Sequence, residues 1–210
     1  MSKSIGVLAL QGGFREHGAH LRECGIDPVY VKLPRDLLDC AGLIIPGGES
    51  SCLRKLLRSF ELDSAIIDAV KKNHLRVWGT CAGAILCADN VCDETPCMPL
   101  IHATVQRNIF GAQLASFTEN TVVSAISPNR QKLVYIRAPG ITKIDADTRP
   151  LHAVNQIITA AENDQILITS FHPELSDTLD FHLYFLKKCG IDSHISRTQT
   201  WDRNAWMRLG

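Results

Sequence analysis

The chain has 210 residues, of which 45% are hydrophobic, and its 22 Lys and Arg residues balance 22 Asp and Glu residues. This length fits one α/β domain with a sizeable core. The zero net charge argues against nucleic acid or an anionic membrane as the main partner. No apolar run approaches the ~20 residues that cross a bilayer, and the N-terminal segment lacks a secretory cleavage pattern. We therefore expect a cytoplasmic protein.

Short apolar runs alternate with helical patterns in the first half of the chain. The runs predict strands over residues 5–11, 28–33, 40–45 and 77–79, and the intervening patterns predict helices over residues 14–24, 50–59, 63–72 and 82–88. This βαβα order predicts an α/β fold: three layers, with a doubly wound, mostly parallel sheet and helices on both faces.

The pattern changes at about residue 103. Strand-like segments at residues 103–105, 121–123, 133–137, 157–161 and 166–170 follow with fewer helices between them. Such a run favours antiparallel additions to the sheet or a flanking ribbon. A last helix is predicted over 178–189. We expect residues 1–190 to form one domain, followed by a polar tail over 191–210.

The eight cysteines do not suggest a disulfide framework, because most lie in apolar helix or strand patterns. Cys87, Cys92 and Cys97 are spaced by five, and His102 follows after another five. Zinc sites favour the tighter C-x₂₋₄-C spacing. We therefore predict no metal site.

One cysteine lies in a different context. Residues 79–83 read G-T-C-A-G, between an apolar strand and a helix, and Cys81 is the central residue. This is the form of the G-x-S-x-G nucleophile elbow, with sulfur in place of the hydroxyl. Flanking glycines permit a sharp turn, and the free N–H groups at the helix start can activate a thiol and hold an oxyanion. The motif predicts acyl transfer by a thiolate.

Two further loops follow predicted strands, at the sheet edge where open α/β proteins place their sites. The first reads P-G-G-E-S-S at residues 46–51, and the second reads S-F-H-P-E-L at residues 170–175. In an extended segment the side chains of His172 and Glu174 project to the same side, and Pro173 disfavours a helix. His172 can then act as a base toward Cys81 while Glu174 orients the imidazole.

The other seven histidines have no comparable context. Surface positions or local hydrogen bonds are expected for His17, His20, His74, His102, His152, His182 and His194.

These motifs resemble those of the class I, or triad, glutamine amidotransferases. Three more strings narrow the resemblance: G-V-L-A-L-Q-G at 6–12, Q-R-N-I-F-G at 106–111 and Y-I-R-A-P at 135–139. The whole set is similar to the family of glutaminase subunits of pyridoxal 5′-phosphate synthase. The resemblance runs from about residue 5 to 188, with the motifs in the family's order.

The resemblance implies an enzyme that hydrolyses glutamine through the triad Cys81, His172 and Glu174, without a cofactor. It also implies a synthase subunit as partner in a hetero-oligomer, which takes up the ammonia. The implied oxyanion and activation residues are Gln11, Gly47, Gly48 and the N–H of Ala82. The implied glutamine-binding residues are Gly47, Gly48, Glu49, Ser50, Arg107, Ile136 and Arg137. Gln11 lies where the family contacts its synthase partner.

One position departs from the family pattern F-G-R-Q-x-x-S-F, because Ala112 stands where the arginine is usual. The change removes a charge and a fork of donors, which bears on the subunit interface. Three alternatives remain open: a related scaffold serving another acceptor, such as imidazole glycerol phosphate synthesis; a non-catalytic regulatory subunit that retains the fold; and a stand-alone cysteine hydrolase. The strings around Gln11 and Arg107 count against the first, the intact triad against the second, and the H-P-E string against the third.

Overall fold

A computed structural model describes residues 4–111 and 116–193 of the chain. Its strands are β1 (Ser4–Leu8), β2 (Val29–Val31), β3 (Cys40–Ile45), β4 (Arg76–Thr80), β5 (Ala88–Val91), β6 (Ile101–Gln106), β7 (Ser116–Val122), β8 (Arg130–Ile136), β9 (Gly140–Ile144), β10 (Arg149–Val154), β11 (Ile157–Glu162) and β12 (Ile166–Thr169). Its helices are α1 (Phe14–Glu23), α2 (Ser50–Ser59), α3 (Leu62–Lys71), α4 (Ala82–Cys87) and α5 (Asp180–Lys188).

Ten of these strands form one mixed sheet in the order β2-β1-β3-β4-β12-β11-β9-β6-β5, with β10 also paired to β11. The strands from β2 to β12 in this order are parallel to their neighbours. The pairs that β11 makes with β12, β10 and β9 are antiparallel. β7 and β8 form a separate antiparallel ribbon. The expected parallel sheet with antiparallel additions and a ribbon is thus confirmed.

Alternate side chains of the central strands face two separate cores, as the period of two in a strand requires. Leu43 and Ile45 pack with buried residues of α2, α3 and α4 on one face. Ile44 packs with α1, α5 and the β7–β8 ribbon on the other face, around the fully buried Trp78. The sheet is therefore covered on both faces, and the three-layer arrangement is confirmed.

Three strands are absent from the sequence-based expectation. β5 reads A-D-N-V and is too polar to signal a strand, while β9 begins directly after Pro139. β10 carries Pro150, which a sheet tolerates here because this strand pairs only with β11. The predicted strand over 5–11 was too long, since β1 ends at Leu8. All three missed strands lack the alternation on which such predictions depend.

Two expectations fall partly or wholly outside the described residues: the role of Ala112, and the tail beyond residue 193. That residues 1–190 make one domain stays a prediction. Within residues 4–111 and 116–193, no helix combines the length and apolarity that crossing a bilayer demands.

Candidate active site

The register of three neighbouring parallel strands brings the predicted loops together. In the sheet, Gly79 of β4 pairs with Ile45 of β3, and Thr80 of β4 pairs with Thr169 of β12. The chain leaves each strand within one or two residues of these pairs. The glycine loop, the cysteine elbow and the histidine loop therefore leave the sheet side by side at its carboxyl edge.

Cys81 occupies the sharp turn that its motif predicts. Its φ is 47° and its ψ is −102°, a conformation that L-residues rarely adopt. The Cys81 N–H donates to the Thr169 carbonyl at 2.7 Å, which ties the elbow to the strand that carries the base. Ala82 follows as the first residue of α4, so its N–H has no acceptor within that helix.

The predicted base and its predicted acid partner are in contact. His172 Nδ1 lies 2.8 Å from Glu174 Oε1, and the Glu174 side chain is 1% exposed. The expected extended segment is wrong, since Pro173–Leu175 forms a 3-10 turn. Proline favours the first position of such a turn because its φ is already suitable and its missing N–H is not needed. The turn curls Glu174 back beneath the imidazole.

The buried side chains of His172 and Glu174 shift each other's pKa. Burial alone would lower the pKa of His172, but the charges of Glu174 and Cys81 and its hydrogen bonds hold that pKa well above its usual range. Burial alone would raise the pKa of Glu174, but His17 and His172 hold that pKa well below its usual range. The favoured state is an imidazolium at His172 beside an ionised Glu174 carboxylate.

Gly47 lies against the predicted base and the predicted nucleophile. A Cβ at this position would lie 2.3 Å from His172 Cε1 and 3.2 Å from Cys81 Cβ, so only glycine fits here. The Gly47 N–H donates to Thr80 Oγ1 at 2.9 Å. That N–H is therefore not available to an oxyanion in this structure, and the N–H groups of Gly48 and Ala82 are the remaining candidates.

Gln11 lies against the same glycine loop. Its Oε1 accepts a hydrogen bond from the Glu49 N–H at 2.9 Å, and a Cβ on Gly48 would lie 2.4 Å from that oxygen. The loop after β1 thus fixes the backbone at Gly48 and Glu49. The contact links the residue expected at the partner interface to the candidate oxyanion loop.

A cavity of about 350 Å³ opens above the triad. It is lined by Gln11, Gly48, Glu49, Ser50, Cys81, Ala82, Ile85, Arg107, Asn108, Ile136, Arg137, Pro139 and His172. Of the predicted site residues, Glu174 and Gly47 do not line the cavity and lie behind His172 and Cys81. A larger groove, of about 540 Å³, surrounds Arg76 and Lys187 at the opposite edge of the sheet and contains none of the predicted site residues.

Two residues of the site were missed by sequence reasoning. Glu94 bonds both Arg54, at 3.0 Å, and Arg107, at 3.1 Å, through Oε2. It follows β5 in a segment with no recognisable motif. For His17 a surface position or local hydrogen bonds were expected. It is fully buried, hydrogen-bonds His182 and Thr80, and lies 3.2 Å from Glu174. His20 and His182 are also fully buried and hydrogen-bonded to each other, so the surface position is wrong for all three.

No group of three or more His, Cys, Asp or Glu side chains in residues 4–111 and 116–193 is arranged to hold a metal ion. Burial raises the pKa of the Cys24 thiol to about 12 and that of the Cys87 thiol well beyond its usual range. Such thiols stay protonated and inert at neutral pH.

Comparison with known proteins places the chain in a family. The SNO glutamine amidotransferase family matches residues 7–191. A protein of Syntrophus aciditrophicus (strain SB), named pyridoxal 5′-phosphate synthase subunit PdxT, is 45% identical over 211 residues, covering 98% of this chain and 94% of its own. A protein of the same name from Desulforamulus reducens is 42% identical over 184 residues, covering 87% and 97%.

Solved structures show the same fold. A crystal structure described as a glutamine amidotransferase superposes with a TM-score of 0.85 at 35% identity, covering 89% of this chain and 99% of its own. A glutamine amidotransferase from Thermotoga maritima superposes with a TM-score of 0.54 at 14% identity, covering 82% and 76%, and shares the fold alone. The chain therefore belongs to the SNO glutamine amidotransferase family.

Proposed function

We propose that this chain is the glutaminase subunit of a pyridoxal 5′-phosphate synthase. It hydrolyses L-glutamine to L-glutamate and ammonia, and a synthase subunit bound to it in a hetero-oligomer takes up the ammonia. The observation that carries the proposal is the contact of His172 with Glu174 at 2.8 Å, beside the strained Cys81 elbow, with Cys81 and His172 both lining one cavity. The names of the relatives supply the synthase partner.

In the reaction, the Cys81 thiolate attacks the side-chain amide carbon of glutamine. The N–H groups of Gly48 and Ala82 stabilise the oxyanion of the tetrahedral intermediate. His172 donates a proton to the leaving nitrogen, ammonia departs, and a γ-glutamyl thioester remains on Cys81. Water, deprotonated by His172, then attacks the thioester, and glutamate leaves as the thiol is restored.

The cavity matches the charges of an amino acid. Arg107 and Arg137 offer cations for the α-carboxylate, and Glu49 offers an anion for the α-ammonium group. Ser50 and the backbone of Ile136 complete the wall near Cys81, whose Sγ lies 4.0 Å from the Ile136 carbonyl. Gln11 conveys docking of the synthase subunit to Gly48 through its bond to the Glu49 backbone.

Cys24, Cys40, Cys52, Cys81, Cys87, Cys92 and Cys97 are free thiols, which is typical of a reducing compartment. We place the complex in the cytoplasm on that ground.

The test is ammonia release from glutamine, measured with and without the synthase subunit. Cys81→Ala should abolish release, while Cys52→Ala, at an exposed position in α2, should leave it intact. A glutamine-mimicking electrophile such as diazo-oxo-norleucine should label Cys81 in the complex. Undiminished release by Cys81→Ala would contradict the role of Cys81. A complex that neither releases ammonia nor reacts with the electrophile would indicate a regulatory subunit.

A further inference from the structure

His17 lies against the far side of the triad carboxylate. It is fully buried, and its Nε2 lies 3.2 Å from Glu174 Oε2, whereas His172 contacts the other oxygen, Oε1. Gly13 precedes His17 by four residues, and a Cβ added to it would lie only 2.9 Å from Glu174 Oε1. Residues four apart share one face of a helix, so the first turns of α1 present both residues to Glu174.

The same ring nitrogen reaches the support of the glycine loop. His17 Nε2 lies 3.3 Å from Thr80 Oγ1, and that oxygen accepts the Gly47 N–H at 2.9 Å. One imidazole therefore contacts the acid of the triad and the hydroxyl that fixes Gly47 beside His172. His17 lies in α1 and Thr80 lies in β4, and both elements are distant in sequence from the H-P-E loop.

Two more buried histidines stand behind His17. Its Nδ1 lies 2.9 Å from His182 Nε2, and His182 Nδ1 lies 3.3 Å from His20 Nδ1. Trp78 packs edge-on against His17 and His182, with ring centroids 5.5 and 5.0 Å apart. Burial, followed by the charges of His20 and His17, holds the pKa of His182 well below its usual range. His182 is therefore neutral and carries a single ring proton.

These contacts favour one proton arrangement. Only one proton fits between His17 Nδ1 and His182 Nε2. If it belonged to a neutral His17, then His17 Nε2 could accept a hydrogen bond from the Thr80 hydroxyl, but it would present a lone pair to the ionised Glu174 at 3.2 Å, and Glu174 Oε2 would stay buried without a hydrogen-bond donor. With the proton on His182 Nε2, a neutral His17 has its own proton on Nε2, where both Thr80 Oγ1 and Glu174 Oε2 are within 3.3 Å.

We propose that His17 is a positioning residue of this site, with an Nε2–H that anchors Glu174 Oε2 while His182 fixes the His17 ring. The inference rests on the proposed glutaminase function. Anchored at Oε2, the carboxylate cannot rotate about its last torsion, so Oε1 stays aligned with His172 Nδ1. The imidazolium that Cys81 needs is then held by a fixed charge, and the Thr80 contact keeps Gly47 in the same frame.

The test compares two substitutions at His17 in the chain assembled with its synthase partner. In His17→Gln the side-chain amide takes the place of Nε2 and can reach Glu174, whereas in His17→Asn it takes the place of Nδ1 and reaches only His182. We expect His17→Gln to keep kcat within roughly threefold and His17→Asn to lose roughly tenfold or more, the factor that one charge-assisted hydrogen bond represents. KM for glutamine should stay the same, because His17 does not line the cavity.

The control is His20→Asn, the same change at an equally buried histidine three residues along α1. It should leave kcat near that of the wild type. The pH profile of iodoacetamide alkylation gives a second readout. Its acidic limb should move to higher pH in His17→Asn only, by roughly one unit for a tenfold effect. Equal kcat and equal profiles in the Gln and Asn variants, or a loss in His20→Asn as large as in His17→Asn, would overturn the proposal.

A measurement on the wild-type chain removes any dependence on the folding of variants. Nitrogen-15 NMR of labelled histidine reports which ring nitrogen carries the proton, and we expect it on Nε2 of His17. A proton on Nδ1 alone would overturn the proposal. A wild-type complex without glutaminase activity would overturn the proposed function instead, so the two failures are distinguishable.

Discussion

Thr80 and Thr169 are register partners on adjacent parallel strands, and the proposed nucleophile and the proposed base follow them at Cys81 and His172. The pairing is reinforced by the bond from the Cys81 N–H to the Thr169 carbonyl at 2.7 Å. The distance between the two reacting side chains is thus set by the spacing of hydrogen-bonded strands and not by a flexible loop. This placement explains how residues 91 positions apart form one site.

The strain at Cys81 predicts an unusual order of stability. Cys81→Ala and Cys81→Gly both remove the thiol and should both be inactive. At φ 47° and ψ −102°, however, glycine has no Cβ to strain, so Cys81→Gly should be more stable than Cys81→Ala by about 1 kcal/mol. Urea unfolding of the two variants measures the difference. A more stable alanine variant would contradict the strain.

Gly47→Ala should slow catalysis strongly and also lower stability, because it displaces a side chain of a buried ion pair. The new Cβ would lie 2.3 Å from His172 Cε1 and 3.2 Å from Cys81 Cβ, so the imidazole must move. A shift of this size costs about a hundredfold in rate. Ammonia release and urea unfolding measure the two effects.

The matched control is Gly111→Asn. A Cβ at Gly111 meets nothing within 4 Å, and Asn tolerates its φ of 70°. It should retain normal activity. If Gly47→Ala is as active as this control, the contact with His172 does not govern the reaction.

The sequence predicted the central layers of the fold well for a physical reason. Apolar runs followed by glycine motifs mark β3 and β4 in the sequence. Such local patterns predict a strand without knowledge of tertiary contacts. The contact of His17 with Glu174 spans 157 residues and depends on how α1 packs, so no local pattern could reveal it. His17 and His20 are polar residues on a helix that also carries Arg15, Glu16, Arg22 and Glu23, so they resemble the surface of a helix, although both are fully buried.

The H-P-E turn shows a different limit. The proximity of His172 and Glu174 was predicted correctly, but from an extended backbone that the protein does not have. Proline is compatible both with an extended segment and with the start of a 3-10 turn. The packing of Glu174 against Gly13 and His17 is a tertiary contact, and it favours the turn.

Glu94 predicts an effect on substrate affinity. Its carboxylate joins Arg54 and Arg107, so it fixes the Arg107 guanidinium at the cavity wall. Glu94→Gln keeps the shape of the side chain but weakens its hydrogen bonds to Arg107. KM for glutamine should rise roughly fivefold while kcat is unchanged, because the lost interaction stabilises the bound substrate and the transition state equally.

Steady-state kinetics of the complex separate these parameters. Arg54→Met serves as the control, because it removes the other partner of Glu94 and leaves the pair with Arg107. Its KM should stay near the wild-type value. A drop in kcat for Glu94→Gln at constant KM would show that Glu94 acts on the chemical step instead.

The depressed pKa of Glu174 predicts a pH-dependent stability. A carboxyl group with a lower pKa in the folded state contributes stability above its unfolded pKa, about 4.3, and loses it as the pH falls through the folded value. Glu174→Gln removes that contribution, so the variant should be less stable by about 3 kcal/mol near pH 7. The difference in the free energy of unfolding between the wild type and Glu174→Gln should narrow steadily as the pH falls below about 4.

Urea unfolding across this pH range measures the difference. The control is Glu61→Gln, at an exposed position, which should show no such difference. If the difference for Glu174→Gln is the same at every pH, the ionised carboxylate does not stabilise the folded state. The charges of Glu174 and its histidine partners would then not be coupled to folding.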